Sequence, residues 1–305
     1  MLVSVIIPCF NVEDYIGECV QSVLAQTHQP LQVICIDNGS TDHTWKVLSE
    51  IKEKHPEIII EKELKAGGNA ARNKGLTFAT AEWIQFLDAD DLLVPSKIEH
   101  QLKLISSSDK NAAFVAGAYT KRTLDGKEVD MINFEDDQFV APFINRCGTT
   151  CSNLWRKQDL AEIGNWNENI FSSQESELML RFTGNNKKFL MDKTPLTIVR
   201  ERQTGQVSQK KPVEKWVQYI EIRLIFLKLF KENNPGEYLK RKTFYYNFVL
   251  TTIITLAKSD LNIASRYFNK DVRDNIGLDS RSRIAKWKIV FIKTFGFKSF
   301  IRMFG

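Results

Sequence analysis

Three aspartates, Asp88, Asp90 and Asp91, follow directly on the apolar run Trp83–Leu87 (WIQFL). In extended chain, residues i and i+2 point the same way, so the Asp88 and Asp90 carboxylates can face one ligand. Like charges this close repel, and each raises the other's pKa unless a cation lies between them. Hard oxygen donors of this kind suit Mg²⁺ or Mn²⁺, held by one or two carboxylates together with substrate phosphates. The competing reading is a helix cap, with Asp91 or Ser96 opening a helix near Pro95; a cap accounts for one aspartate, not three. Asp37 ends a second apolar run and precedes Asn-Gly-Ser-Thr-Asp. It either makes an Asx turn or accepts a hydrogen bond from a nucleobase N–H or a ribose hydroxyl. Gly67 and Gly68, followed by Asn69, Arg72 and Asn73, set a cation and amides at a helix start, where anions are favoured. The GxxxxGK[ST] phosphate loop and GxGxxG are both missing, which counts against a dinucleotide oxidoreductase.

These groups need a scaffold that brings them together. Val3–Pro8, Leu31–Asp37, Ile58–Lys62 and Trp83–Leu87 read as strands. Asn11–Gln26, Thr41–Lys54 and Gly67–Thr80 read as helices between them. Strands alternating with helices argue for a parallel sheet with right-handed crossovers. Ligands of such sheets bind beyond the carboxyl ends of the strands. The three ends Cys9-Phe10-Asn11, Asp37-Asn38-Gly39 and Asp88–Asp91 are therefore expected to converge on one crevice. Farther along, Ala112–Tyr119 and Thr149–Trp155 read as strands, Thr120–Gln138 as a polar connection with an Asp-Gly turn, and Glu175–Phe182 as a helix. Residues 213–232 and 237–258 read as two longer helices joined through Asn233–Gly236.

The chain of 305 residues is 43% hydrophobic and 26% charged, ordinary for a protein that buries a core, which excludes disordered, collagenous and disulfide-stapled classes. Seven basic residues and no acid fall in 281–305, so the net charge of +5 leaves residues 1–280 at −2. Nucleic acid is not an expected partner. Five scattered cysteines without CxxC spacing read as free thiols of a reducing compartment. No basic segment precedes the first apolar run, so a signal peptide is not expected. The longest apolar run, Phe248–Ala257, is too short to span a bilayer, and a cytoplasmic protein is expected.

VSVIIPCFN, IDNGSTD, GGNAARNKG and FLDADD occur in order over residues 1–100. In this they resemble the ordered signatures of the family 2 glycosyltransferases, inverting enzymes of the GT-A fold that use nucleotide sugars. The resemblance implies an α/β fold, a Rossmann-like mostly parallel sheet flanked by helices, with a C-terminal helical extension. It implies a glycosyltransferase domain over 1–210, divided into a nucleotide-binding half (1–108) and an acceptor half (109–210), and the helical extension over 211–305. It implies that Asp37 contacts the base, usually uracil, that Pro8, Phe10 and Glu13 line base and ribose, and that Asn69 and Arg72 approach the nucleotide. Asp88-Ala89-Asp90 matches the family's DxD motif, with Asp90 the chief ligand of Mn²⁺ or Mg²⁺ and Asp88 nearer the ribose.

The acceptor side resembles the family through SNLWR (152–156), IGNWNE (163–168) and QESELMLR (174–181). Anchored on Leu178 and Arg181, the alignment implies Glu175 as catalytic base, where Asp is usual; the other register makes Glu177 the base. The competing reading is an acid in the first turn of a helix. Arg200–Ser208 resembles a loop that binds donor or acceptor in relatives, which makes Arg200 and Arg202 candidates for the diphosphate, against a solvated loop.

In residues 281–305, Ile284, Trp287, Phe291 and Phe295 share a helical stripe, and Phe297, Phe300, Ile301 and Phe304 share another. Basic residues lie largely opposite, as in a membrane-surface helix; docking on the protein is the competing reading. The expected function is transfer of one sugar, with inversion, from a nucleotide sugar, UDP-linked by resemblance, to a glycan or lipid-linked acceptor of a bacterial surface polysaccharide. The enzyme would act peripherally at the inner membrane face. A sugar-nucleotide nucleotidyltransferase is an alternative, against which the first strand's Pro8-Cys9-Phe10-Asn11 stands in place of a glycine-rich loop. A silent nucleotide-sugar-binding module is another.

Overall fold

The structure is a computed structural model and describes residues 1–108, 111–202, 212–282 and 284–304. The chain divides into two compact units, Met1–Phe182 with Lys187–Gly205, and Thr183–Asn186 with Gln206–Gly305. The boundary expected between 210 and 211 lies outside the described residues, as do Gln203–Ser208 of the expected loop and Arg283.

In the first unit the strands are β1 Val3–Cys9, β2 Leu31–Asp37, β3 Ile59–Lys62, β4 Trp83–Phe86, β5 Leu92–Leu93, β6 Phe114–Gly117, β7 Tyr119–Arg122, β8 Glu128–Met131, β9 Leu154–Arg156, β10 Phe189–Asp192 and β11 Thr197–Arg200. The helices are α1 Ile16–Leu24, α2 Thr44–Lys54, α3 Gly68–Phe78, α4 Lys97–Ser107, α5 Lys157–Glu162 and α6 Gln174–Gly184, the last two residues of α6 being counted with the second unit. A seven-stranded sheet runs β10-β6-β9-β4-β1-β2-β3. Its neighbours pair in parallel except at β9, which is antiparallel to both β4 and β6. Val3, Val5, Ile7 and Cys9 of β1 pack into one apolar cluster with Ile16, Val20 and Val23 of α1 and Leu48 of α2. Ile6 and, on β2, Ile34 and Ile36 pack on the other face with Ala71 and Leu76 of α3. Burial on both faces is why β1 reads as a continuous apolar run instead of an alternating one. The fold is the expected α/β, mostly parallel sheet flanked by helices.

Several local expectations are corrected. Helix α1 starts at Ile16, not Asn11, because Asn11 adopts φ +50° and its side chain accepts the Thr41 amide at 2.8 Å. The strand expected over Thr149–Trp155 begins only at Leu154. Thr149 and Ser152 instead exchange side-chain–backbone bonds in a tight turn, at 2.8 and 3.3 Å. Gly148 before that turn has φ +77°, and a Cβ there would stand 2.7 Å from the Gly117 carbonyl oxygen, so only glycine fits. The expected polar connection after Thr120 contains the β7–β8 hairpin around Gly126; strand β8, Glu-Val-Asp-Met, alternates over only four residues and is exposed throughout, so its pattern is too short to announce it.

A second sheet, β5-β11-β7-β8, carries the second half of the site. Strand β11 runs antiparallel to β5, with Ile198 opposite Leu92, so continuing past Ile198 leads the chain back along Asp91 and Asp90.

The second unit is helical: α7 Pro212–Asn233, α8 Pro235–Ala257, α9 Leu261–Tyr267, a π-turn Phe268–Val272, a 3-10 turn Arg273–Asn275, α10 Lys286–Phe295 and α11 Phe297–Phe304. Pro235 opens α8 at its first turn, as the Asn-Asn-Pro-Gly segment predicts. Asp260 caps α9 by accepting the Ile263 amide at 2.8 Å. Among the described residues no helix is long and apolar enough to cross a membrane.

Candidate active site

Parallel pairing sets the floor of the site. Cys9 lies opposite Asp37, the Asn38 amide donates to the Cys9 carbonyl, and the Leu87 amide donates to the Ile6 carbonyl. The ends of β1, β2 and β4 therefore open side by side, as expected of a crevice at the carboxyl edge.

Arg72, on α3, is buried. Its Nη2 lies 2.7 Å from Asp88 Oδ1, and its Nη1 donates to Asn69 Oδ1 at 3.2 Å and to Gln174 Oε1 at 3.1 Å. The guanidinium sits 4.8 Å from the Trp166 ring centroid, and its Nε has no hydrogen-bond partner. Asn69 is committed on both ends: its Nδ2 donates to the Asn167 carbonyl at 2.7 Å. It orients Arg72 and ties α3 to the 165–169 loop.

Asp91 is buried, and its Oδ1 accepts the Arg200 amide at 2.9 Å, so it does not cap α4; Ser96, the residue before that helix, makes no side-chain cap bond either. Burial, then Asp90 and Asp88, push the Asp91 carboxyl well above the usual range. Asp90 is raised too, first by burial and next by Asp88, with Arg202 acting in opposition. Arg202 Nε lies 2.5 Å from Asp90 Oδ2, an ion contact outside hydrogen-bond alignment. Arg200 donates to the Asp90 carbonyl and reaches Glu18 Oε2 at 2.5 Å. Both guanidiniums lie near the Tyr15 ring, at 5.3 and 4.9 Å from its centroid. The Ala89 methyl is buried in the core, so Ala89 offers the site only its backbone.

Glu175 and Glu177 part company in the first turn of α6. Glu177 forms a two-point contact with Arg181, at 2.7 and 2.8 Å, and Arg181 also donates to the Ile163 and Asn165 carbonyls. Glu175 instead faces the crevice electrostatically: burial and then Asp88 raise its carboxyl, while Arg72 and a hydrogen bond from Thr150 favour the charged form. Tyr119 on β7 feels the same charge, since Glu175 adds to the burial that raises its phenol.

Asp37 is buried, and its Oδ1 accepts the amide of Ser40, three residues on, at 3.4 Å. Pro8 is half-buried at the end of β1, and Phe10 is 56% exposed. Glu13 Oε2 accepts from the His43 amide at 2.9 Å and lies 2.8 Å from His43 Nδ1, which ties it to the start of α2.

The residues present fit a divalent cation. Four carboxyl groups (Asp88, Asp90, Asp91, Glu175) face three guanidiniums (Arg72, Arg200, Arg202), one of which also serves Glu18. Asp90 and Asp91 are raised first by burial and next by the charges of the neighbouring aspartates, and a cation would relieve that second part. Ligand atoms of Asp88, Asp91 and Cys151 lie within 4.8 Å of one another. The Cys151 thiol is pushed well up by burial and so stays protonated, a poor partner for a hard ion. It accepts the Asp88 amide at 3.2 Å instead. All five cysteines are buried free thiols.

Sequence reasoning assigned no role to Tyr15, Tyr119, Thr150 and Cys151, nor to Trp166 and Gln174 within the family-like segments 163–168 and 174–181. Each meets its partner across a long chain separation, which no local pattern shows.

The glycosyl transferase family 2 description matches residues 4–164. A Rickettsia felis uncharacterized glycosyltransferase is 32% identical over 193 residues, covering 63% of this chain and 32% of that protein. The Bacillus subtilis putative teichuronic acid biosynthesis glycosyltransferase TuaG is 36% identical over 130 residues, covering 42% of this chain and 51% of TuaG. The chain thus spans between a third and about half of these relatives' lengths. Among solved structures, S. aureus TarS 1-349 in complex with UDP-GlcNAc aligns with a TM-score of 0.67 at 15% identity, covering 90% of this chain and 89% of that one. The Pyrobaculum calidifontis mannosyltransferase PcManGT, in complex with GDP-Man and Mn²⁺, aligns with a TM-score of 0.54 at 17% identity, covering 89% and 82%. These two likenesses are of fold. With its sheet order, its carboxylate-lined crevice and a family match over more than half its length, the chain belongs to glycosyl transferase family 2.

Proposed function

We propose that this chain transfers one sugar, with inversion, from a UDP-sugar to a glycan or lipid-linked acceptor in the assembly of a bacterial surface polysaccharide. The observation that carries the reading is that Arg72 binds both Asp88, at 2.7 Å, and Gln174, at 3.1 Å, which brings the start of α6 and its acid Glu175, raised by burial and next by Asp88, beside the aspartates. The teichuronic acid role in TuaG's name and the UDP-GlcNAc bound to TarS support the choice of donor and product.

In this reading Asp37 accepts from the base, Phe10 offers it an exposed ring, and Pro8 and Glu13 bound the base and ribose side. Arg72, oriented by Asn69 and Gln174 and backed by Trp166, holds the Asp88 carboxylate and presents positive charge to the nucleotide. The Ala89 backbone spaces Asp88 from Asp90, and these two aspartates would hold Mn²⁺ or Mg²⁺. Bound there, the cation supplies Lewis-acid stabilisation of the leaving diphosphate. Arg200 and Arg202 lie on the same side as further cations for the diphosphate. Glu175 takes the proton of the acceptor hydroxyl as that oxygen bonds to the anomeric carbon. The bond from that carbon to the diphosphate breaks, and the nucleoside diphosphate leaves with the electron pair from the opposite face. Residues 1–210 form the catalytic domain and 211–305 the helical extension, and the enzyme works in the cytoplasm, held peripherally at the inner membrane face through 281–305.

The test is UDP release from a panel of UDP-sugars with Mn²⁺, with and without polyprenyl-linked or oligosaccharide acceptors. At least one sugar should be turned over, and both Asp90→Asn and Glu175→Gln should slow transfer by about 10²-fold or more. Full transfer in both variants overturns the assignment.

A further inference from the structure

Helices α10 and α11 meet at Gly296, whose φ of +84° allows the abrupt change of direction. One face is spent inside the helical unit. Ile289, Ile292, Phe297 and Phe300 are buried, and Phe297 stacks on Phe268 with centroids 4.7 Å apart. The stripe expected as the membrane face is therefore split: Ile284 is buried as well, and Phe291 is half-buried.

What remains outside is a second surface, built from both helices. Trp287, Val290, Phe295, Met303 and Phe304 are each at least half exposed. The Trp287 and Phe304 rings touch edge to face at 5.1 Å, and Phe291 joins Phe304 at 5.3 Å and Phe295 at 4.8 Å, so the exposed rings form one patch. Around it Lys286, Lys293, Lys298 and Arg302 are exposed, and none makes an ion pair among the described residues. No acid occurs between 281 and 305.

A continuous apolar patch whose own two helices carry basic residues and no acid selects its partner. Two copies of this chain meeting through it would set like charges together. Single-stranded nucleic acid stacks successive bases on separate ring faces along a groove, whereas Trp287, Phe291 and Phe304 pack on one another at 73° and 89° and Phe291 tilts on Phe295 at 44°, in one cluster. An anionic lipid surface meets both requirements. Indole and phenyl rings settle at headgroup depth, and lysine and arginine bind the phosphates above them.

We propose that α10 and α11 form a preformed docking surface for an anionic lipid bilayer, with Trp287, Val290, Phe295, Met303 and Phe304 at headgroup depth and Lys286, Lys293, Lys298 and Arg302 on the phosphates. This deepens the membrane-proximal part of the proposed function and rests on it. It also departs from the sequence pattern in naming which residues enter the lipid.

The full chain is sedimented with vesicles of phosphatidylcholine alone or with 30 mol% phosphatidylglycerol, at low and high salt. Partitioning into the anionic vesicles is expected to exceed that into the neutral ones at least tenfold. Each basic residue contributes about fivefold, so Lys293→Gln/Lys298→Gln should lower partitioning roughly 25-fold. Trp287→Ser/Phe304→Ser should remove the binding that survives high salt. Circular dichroism and lipid-free UDP release, unchanged in both variants, keep a folding defect and a failed sugar-transfer reading separate from a failed lipid reading. Equal partitioning into both vesicle types, wild-type binding by both variants, or a lipid-free dimer lost in Trp287→Ser/Phe304→Ser overturns the proposal.

Discussion

Arg202 Nε stands 2.5 Å from Asp90 Oδ2, so the carboxylate that matches the second aspartate of the DxD motif already faces a guanidinium. The pairing follows from strand register: β11 runs antiparallel to β5 and carries residues 200–202 past Asp91 and Asp90. A cation entering between Asp88 and Asp90 must share Asp90 with Arg202 or displace it. Arg202→Gln should therefore bind Mn²⁺ about tenfold more tightly in the absence of donor, the order of effect of one opposite charge at contact distance. Free Mn²⁺ measured by electron paramagnetic resonance in a titration reads this directly; unchanged affinity would show that Arg202 does not compete.

Glu175→Gln should cost 10²- to 10⁴-fold in kcat, the usual contribution of a positioned general base, with little change in KM for the donor. The same substitution should stabilise the metal-free chain at neutral pH. The carboxyl is raised in the folded state by burial and Asp88. Its contribution to stability is therefore full below the unfolded value and is lost as pH rises through the folded one. The gain in Tm should be present at pH 7.5 and vanish below about pH 4.3, as calorimetry at the two ends would show.

Glu177→Gln separates the two acids. Its carboxylate is engaged at both oxygens by Arg181, which is also bonded to the Ile163 and Asn165 carbonyls. Loss of the pair leaves a half-buried guanidinium short of a partner and should cost about 2 kcal/mol. Denaturant melts should show the loss while kcat per folded molecule stays within a few-fold of wild type. A collapse of kcat at unchanged stability would move the base to Glu177.

Lys97 is fully buried, bonded to Gln85 and near Asp192 and Cys151. Burial lowers its pKa from 10.5 to about 7. Between those values the unfolded chain holds a proton that the folded chain has released, so the burden Lys97 places on stability is full below about pH 7 and eases as pH rises. Relative to Lys97→Met, the wild type should gain Tm between pH 6.5 and 9.5. A constant difference across that range would mean that Lys97 stays charged.

The strand ends were legible because parallel sheets put chemistry at one edge, so Asp37 and Asp88–Asp91 announce themselves by position after apolar runs. The role of Asn69 was not, since whether its amide meets a ligand or, as here, Arg72 and the Asn167 carbonyl depends on a loop nearly a hundred residues away. The same holds for Arg200 and Arg202, which reach Asp90 only through the short β5–β11 pairing. Residues 281–305 showed their aromatic and basic character in sequence, but not which rings the helical unit would bury. Helical periodicity gives each helix an apolar stripe, and packing decides how that stripe is divided.

Strand β9 enters the main sheet against the direction of its neighbours, between β4 and β6. Strands β1 to β4 are joined by local crossovers, and every pairing among them lies within residues 1–86. The outer edge of β4 then has no partner until Trp155 and Arg156 have been made. A growing chain on the ribosome therefore carries an open, apolar sheet edge for about seventy residues of synthesis, the kind of edge that recruits stray strands. Chaperone dependence and aggregation during expression should track mutations in β9 and in the Gly148–Asn153 turn that delivers it, more than mutations in the catalytic carboxylates.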